Sequence, residues 1–160
     1  MTHTLRQSRG YRFESYIVKG LNSDNWQCRR LGGSSMGLPD EVATNNDEGI
    51  LLSIEAKSTV SNWCYVPKDQ LERCKTICEM FEYYRAKCIV LAFKFAAKRK
   101  GRKLKYYFFI IHTPFTFKNI LNVSCNYDGT LSWIGAQKGD VFSYSICHDI
   151  EELKRFFYCY

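Results

Sequence analysis

Two short motifs hold residue types that could hydrolyse a phosphodiester: Gly37-Leu38-Pro39-Asp40 and, after an intervening turn, Ile54-Glu55-Ala56-Lys57. Successive side chains on a β-strand point to opposite faces. Across Ile50 to Lys57 this puts Ile50, Leu52, Ile54 and Ala56 on one face and Ser53, Glu55 and Lys57 on the other. One face is expected to be core and the other chemistry. An Asp delivered beside Glu55 by a neighbouring strand gives two hard oxygen ligands for a divalent cation, with the Lys57 ammonium next to them. A plain polar strand face after a Pro-Asp turn reads the same way, so the surrounding elements decide.

Those elements form a consistent frame. Gly10-Tyr11-Arg12-Phe13-Glu14 opens a predicted helix over residues 10 to 22, with Phe13, Ile17 and Leu21 at the i, i+4, i+8 spacing of an apolar stripe. Glu14 lies beside that stripe and is placed to look inward as a third carboxylate. Residues 1 to 9 read as a frayed basic arm. Trp26 to Arg30 is a short strand leading into Gly32-Gly33-Ser34-Ser35, where glycine lets backbone approach a ligand closely. Asp40 starts a second strand running to about Ala43, and the turn Asn45-Asn46-Asp47-Glu48-Gly49 leads into the third. Pro67 suits the first turn of a helix over 67 to 84, with Leu71, Cys74, Ile77 or Cys78, and Phe81 on its inner stripe. Residues 86 to 95 read as a buried central strand, parallel to the third across a right-handed helical crossover, and 103 to 112 as its hairpin partner. Beyond Pro114 the pattern gives short strands at 131 to 134 and 141 to 146 and a terminal helix at 149 to 158, with Leu153, Phe156 and Phe157 inward. Trp133, Phe142 and Tyr144 could stack on nucleic acid, but core or subunit interface is the favoured reading.

Composition sets the class. With 160 residues, 46% hydrophobic and 16% aromatic, the chain has enough apolar surface for one core and is not intrinsically disordered. No apolar run reaches the roughly 18 residues of a membrane span. Met1 to Arg6 lacks the apolar centre of a secretory signal, so a cytoplasmic, nucleoid-associated location is expected. The eight cysteines include Cys28, Cys74, Cys78 and Cys88 within predicted elements and no C-x-x-C pair, which favours reduced, buried thiols over disulfides or a structural zinc. A net charge of +7 points to an acidic partner. Lys98, Arg99, Lys100, Arg102, Lys103 and Lys105 crowd the hairpin between the fourth and fifth strands, and phosphate contact is the expected role.

The order and spacing of these motifs resemble the archaeal Holliday junction resolvases over roughly residues 9 to 111. The matching elements are Gly10-x-x-x-Glu14, Arg30-Leu31-Gly32-Gly33-Ser34, Pro39-Asp40, Glu55-Ala56-Lys57, Tyr65-Val66 and Val90-Leu91-Ala92-Phe93-Lys94-Phe95. The resemblance implies an α/β chain of the restriction-endonuclease-like fold, a central mixed β-sheet flanked by helices. One nuclease domain is expected over 1 to 160, with 114 to 160 as its C-terminal extension. It further implies catalytic or metal-binding roles for Glu14, Asp40, Glu55 and Lys57, a loop serine (Ser34 or Ser35), and an arginine at the scissile phosphate, for which Arg30 is the candidate. Some family members have Arg directly after the first Glu; here Ser15 stands there, with Arg12 two residues before Glu14. Asp40, Glu55, the Ala56 carbonyl and Glu14 are expected to hold Mg²⁺, with Mn²⁺ able to substitute. Arg12, Arg29, Arg30, Lys68, Lys98, Arg99, Lys100, Arg102 and Lys103 are expected to meet DNA.

The function this implies is metal-dependent, structure-selective cleavage of four-way DNA junctions by paired nicks. Cutting two opposed strands calls for two sites and hence a homodimer, with Phe108, Phe109, Phe115, Phe117, Trp133 and Phe142 as candidate interface aromatics. The alternatives are a restriction- or repair-type nuclease on duplex or flap DNA, and a DNA-binding module without turnover.

Overall fold

A computed structural model describes residues 5–32, 36–96, 103–116, 121–125, 131–134 and 141–159. Its centre is a six-stranded sheet in the order β1-β2-β3-β5-β6-β9. These strands are β1 (Trp26–Arg30), β2 (Glu41–Asn45), β3 (Ile50–Thr59), β5 (Ala86–Phe95), β6 (Lys105–Thr116) and β9 (Val141–Cys147). β3 and β5 run parallel and their neighbours antiparallel, so the sheet is mixed, as expected. A three-stranded sheet joins β4 (Trp63–Val66), β7 (Leu121–Cys125) and β8 (Leu131–Ile134). Sequence reading anticipates β8 but neither β4 nor β7. β4 and β7 pair with each other across more than fifty residues of chain, a partnership that neither segment's own pattern announces.

Both faces of the central sheet are covered. On one, α1 (Leu5–Gly20) and α3 (Ile150–Phe156) pack through Phe13, Ile17, Leu21, Ile150 and Leu153 onto Ile50, Leu52, Ile54 and Val90. On the other, α2 (Lys68–Met80) sets Leu71, Cys74, Ile77 and Cys78 against Leu51, Leu91 and Phe93. β3 is therefore buried on both sides from Ile50 to Glu55, and the expectation that one face is core and the other chemistry is corrected. The chemical face holds apolar Leu51 as well as Glu55. Phe108 and Phe109 are also corrected: at 0% and 1% exposure they fill the two cores and are not available to a partner. The side chains of Phe115, Phe117, Trp133 and Phe142 lie outside the described residues.

Helix limits differ from expectation for local reasons. α1 begins at Leu5 rather than residue 10, so part of the supposed basic arm is helical. α2 stops at Met80, where Phe81 is extended, because the chain must turn back for Ala86 to pair with Ile50. Phe81 is consequently 40% exposed rather than on the inner stripe. The six described cysteines, Cys28, Cys64, Cys74, Cys78, Cys88 and Cys147, are free and buried.

The C-terminal helix is tied to the first turn. Asp149 caps α3 by accepting from the Glu152 N–H at 2.7 Å, and Glu152 reaches back to the His148 N–H at 2.7 Å. Lys154, only 3% exposed, donates to Ser23 Oγ at 2.9 Å and Asp24 Oδ2 at 3.0 Å, in the tight turn where Asp24 and Asn25 adopt positive φ. At Gly20 a Cβ would come within 2.5 Å of Ile150 Cδ1, so α1 and α3 meet at a residue with no side chain. Gly20→Val is expected to cost about 1–3 kcal/mol in urea unfolding through overpacking. Adding Ile150→Ala should recover part of that loss; strictly additive losses would contradict this contact.

Candidate active site

The pairing of β2 with β3 places the acidic residues. Glu41 lies opposite Ile54, and one step on, where β2 begins, Asp40 falls beside Glu55. The Ala56 N–H donates to Asp40 Oδ2 at 2.9 Å, which fixes that carboxylate over β3. Glu55 and Lys57 share a strand face, and Lys57 Nζ donates to Glu55 Oε1 at 2.6 Å. Glu55 Oε2 is buried and has no hydrogen-bond partner among the described residues. Burial pushes the Glu55 carboxyl up to about 7; the Lys57 cation works against this and the Asp40 carboxylate adds to it.

Glu14 reaches the same region from α1, held by Arg30 on β1 through Nε at 2.8 Å and Nη2 at 2.5 Å. The Arg30 guanidinium also lies 4.5 Å over the Tyr11 ring. Burial raises the Glu14 pKa, the Arg30 hydrogen bond opposes the rise, and Asp40 reinforces it. Glu14 is thus within electrostatic reach of Asp40 and Lys57, but its hydrogen bond goes to Arg30.

The structure adds one carboxyl that sequence reasoning missed. Glu41 is fully buried and neither of its oxygens has a hydrogen-bond partner among the described residues. Desolvation pushes it up to about 9, with Asp40, Glu14 and Glu55 contributing in the same direction. A signal for it was present. Two acids in succession on a strand must face opposite sides, and with both sides covered the second acid has to be buried.

The other expected site residues are distributed unevenly. Arg12 is exposed on α1, Lys68 at the start of α2, and Lys103 just before β6. Arg29 is exposed but engaged, donating to Asn22 Oδ1 at 2.9 Å and to the Cys28 carbonyl at 2.8 Å. Ser34, Ser35, Lys98, Arg99, Lys100 and Arg102 lie outside the described residues.

A hard divalent cation fits this donor set. Among the described residues no three His, Cys, Asp or Glu side chains close into a metal cage. Mg²⁺ does not need one, because it retains several waters and is commonly held by one or two carboxylates. Asp40 supplies one carboxylate, and the unpartnered Oε2 of Glu55 is an acceptor in want of a cation.

A family model for archaeal Holliday junction resolvases (Hjc) matches residues 5–114 of the chain. Among solved structures, one similar to it is that of Hjc from Archaeoglobus fulgidus, a Holliday junction resolvase from an archaeal hyperthermophile. The identity is 20% and the TM-score 0.48, over 72% of this chain and 83% of that one. No curated protein sequence matches.

The burial of Glu41 gives a pH signature. Its folded pKa lies above the ordinary carboxylate value, so the fold retains a proton that the unfolded chain gives up, and stability falls as pH rises from about 4.5 to about 9. Glu41→Leu is expected to stabilise the protein by about 1–3 kcal/mol through loss of an unpaired buried group. The gain should be larger at pH 8 than at pH 5 in urea unfolding, and equal gains at the two pH values would contradict this.

Proposed function

The chain belongs to the archaeal Holliday junction resolvase family, and from that premise we propose that Asp40, Glu55 and Lys57 form its catalytic centre, working with Mg²⁺. Members of this family are nucleases of the restriction-endonuclease-like fold that act on four-way DNA junctions. The observation that carries the site assignment is the buried Oε2 of Glu55, without a partner among the described residues, next to an Asp40 carboxylate already fixed on the Ala56 N–H.

Asp40, Glu55 and the Ala56 carbonyl would hold the cation, with Mn²⁺ an acceptable substitute. When bound, the cation supplies Lewis-acid activation of the scissile phosphate and of the attacking water. Lys57 serves two purposes. It holds Glu55 in place through Oε1, and its ammonium offsets charge building on the phosphate oxygens as the P–O bond breaks. Arg30 is the phosphate grip, already oriented by Tyr11 and Glu14. Once Arg30 turns to the phosphate, Glu14 is free to complete the cation's shell or to orient water. Ser34 or Ser35 approaches the backbone from the loop between β1 and β2. Arg12, Arg29, Lys68 and the basic run Lys98 to Lys103 meet phosphates further out.

The whole chain acts as one nuclease domain, and two copies pair about a two-fold axis. A four-way junction has approximate two-fold symmetry and must be cut on two opposed strands, whereas each chain carries one such site. Among the described residues no helix is long and apolar enough to cross a membrane.

Asp40→Asn, Glu55→Gln and Lys57→Ala are each expected to lower cleavage of an end-labelled four-way junction by a factor of about 100 or more. Binding should stay within about tenfold, because the lost interactions are made chiefly in the transition state. Full cleavage by Asp40→Asn or Glu55→Gln would overturn the assignment. The burial of Glu55 gives a second test. The proton competes with the cation for this carboxylate, so the Mg²⁺ concentration needed for half-maximal cleavage should fall as pH rises from 6 towards 8. A requirement independent of pH would exclude Glu55 as the ligand.

A further inference from the structure

We infer that the cleft beside Lys57 is a nucleoside subsite that takes an unpaired or unstacked base at the junction's branch point on Trp63 and Tyr65. The cleft has a volume of about 310 Å³ and is lined by Arg9 of α1, by Lys57, Ser58 and Thr59 of β3, and by Trp63 and Tyr65 of β4. Alternation on β4 sends Cys64 and Val66 into the core, at 6% and 0% exposure, and leaves Trp63 and Tyr65 on the outer face at 46% and 58%. Two large aromatic rings two residues apart on one exposed strand face contribute little to the core. Both rings meet solvent on that face.

Three observations identify the occupant. Among the described residues lining the cleft the charged ones are cations, Arg9 and Lys57, the latter shared with Glu55 at its inner end, so a ligand carrying phosphate is favoured. The ligand must also present a π-face, and a nucleotide combines both properties: phosphate for the cations and base for the rings. The third observation is position. β3 carries Glu55 to the candidate cation and, four residues on and about 13 Å further, Thr59 to the cleft wall. The cleft thus lies beside the candidate cation site, within reach of a DNA strand held there.

A regular duplex keeps its base faces stacked inside and offers nothing to Trp63. The exchange point of a four-way junction has pairs that open and unstack at low cost. Stacking in this cleft thus favours junction over linear duplex, beyond what the arrangement of phosphates contributes. The inference rests on the resolvase reading, and the two can be tested separately.

The probe is a four-way junction with 5-iododeoxyuridine either at the branch point or in mid-arm, bound by the full chain in EDTA so that nothing is cut. Irradiation should cross-link Trp63 or Tyr65, identified by mass spectrometry, from the branch position only. Replacing Trp63 and Tyr65 together by Ala should weaken junction binding by about tenfold or more, from loss of base–aromatic stacking, and leave linear duplex binding within about twofold. Trp63→Phe with Tyr65 retained should restore most of the preference. Cross-links elsewhere, or equal losses for junction and duplex, would overturn the subsite. So would loss of the dimer in the double variant by sedimentation, since the rings would then belong to a contact between copies. The parent's own preference is the separate control. If it binds junction and duplex alike, the resolvase reading fails, and a gapped duplex with one unpaired 5-iododeoxyuridine then decides the cleft by the same cross-link.

Discussion

Strand β3 is buried on both faces, and the placement of the acidic residues follows from that constraint. Ile50, Leu52 and Ile54 face α1 and α3, and Leu51 faces α2, so the strand's polar residues are taken out of water wherever a helix covers them. Glu55 lies at the boundary, still buried at 3% exposure, with Lys57 beyond it where the cover thins. A carboxylate in that position is costly unless paired, and Lys57 satisfies only one of its oxygens. The remaining oxygen is stabilised by a bound cation or by a proton. The same burial that raises the Glu55 pKa therefore suits it to the proposed role of metal ligand.

The charges form closed pairs in the protein alone. Lys57 holds Glu55 and Arg30 holds Glu14, so the two cations expected to meet the phosphate are occupied by the two carboxylates expected to help hold the metal. On the proposed mechanism, substrate and metal would replace the partners that these pairs give up. Association would then not strand a charge in a dry site, a penalty of several kcal/mol per ion. Glu41 lies outside this exchange. Among the described residues no cation pairs with it, its strand position is fixed by the Arg30–Glu41 pairing of β1 with β2, and burial favours its neutral form.

Much of this was legible in the sequence because the governing signals are local. The alternation in Ile50 to Lys57, the stripe of Phe13, Ile17 and Leu21, and the Asn-Asp-Gly turn before β3 each follow from a few adjacent residues. Together they place Asp40 beside Glu55. Less legible were properties set by distant chain. That α2 covers the Glu55 face, that Glu41 has no partner, and that Phe108 and Phe109 fill cores instead of facing a partner all depend on which layers pack where. The four-residue strand β4 depends on pairing with β7, which its own short pattern does not announce.

The central claim is that Asp40 and Glu55 share a divalent cation through Glu55 Oε2, the oxygen without a partner among the described residues. Anomalous diffraction from crystals soaked in Mn²⁺ tests it most directly. The account predicts a manganese peak in contact with Asp40 and with Glu55 Oε2, while Lys57 remains on Oε1. A peak that avoids Glu55, or crystals saturated with Mn²⁺ that show none between these two carboxylates, would contradict it.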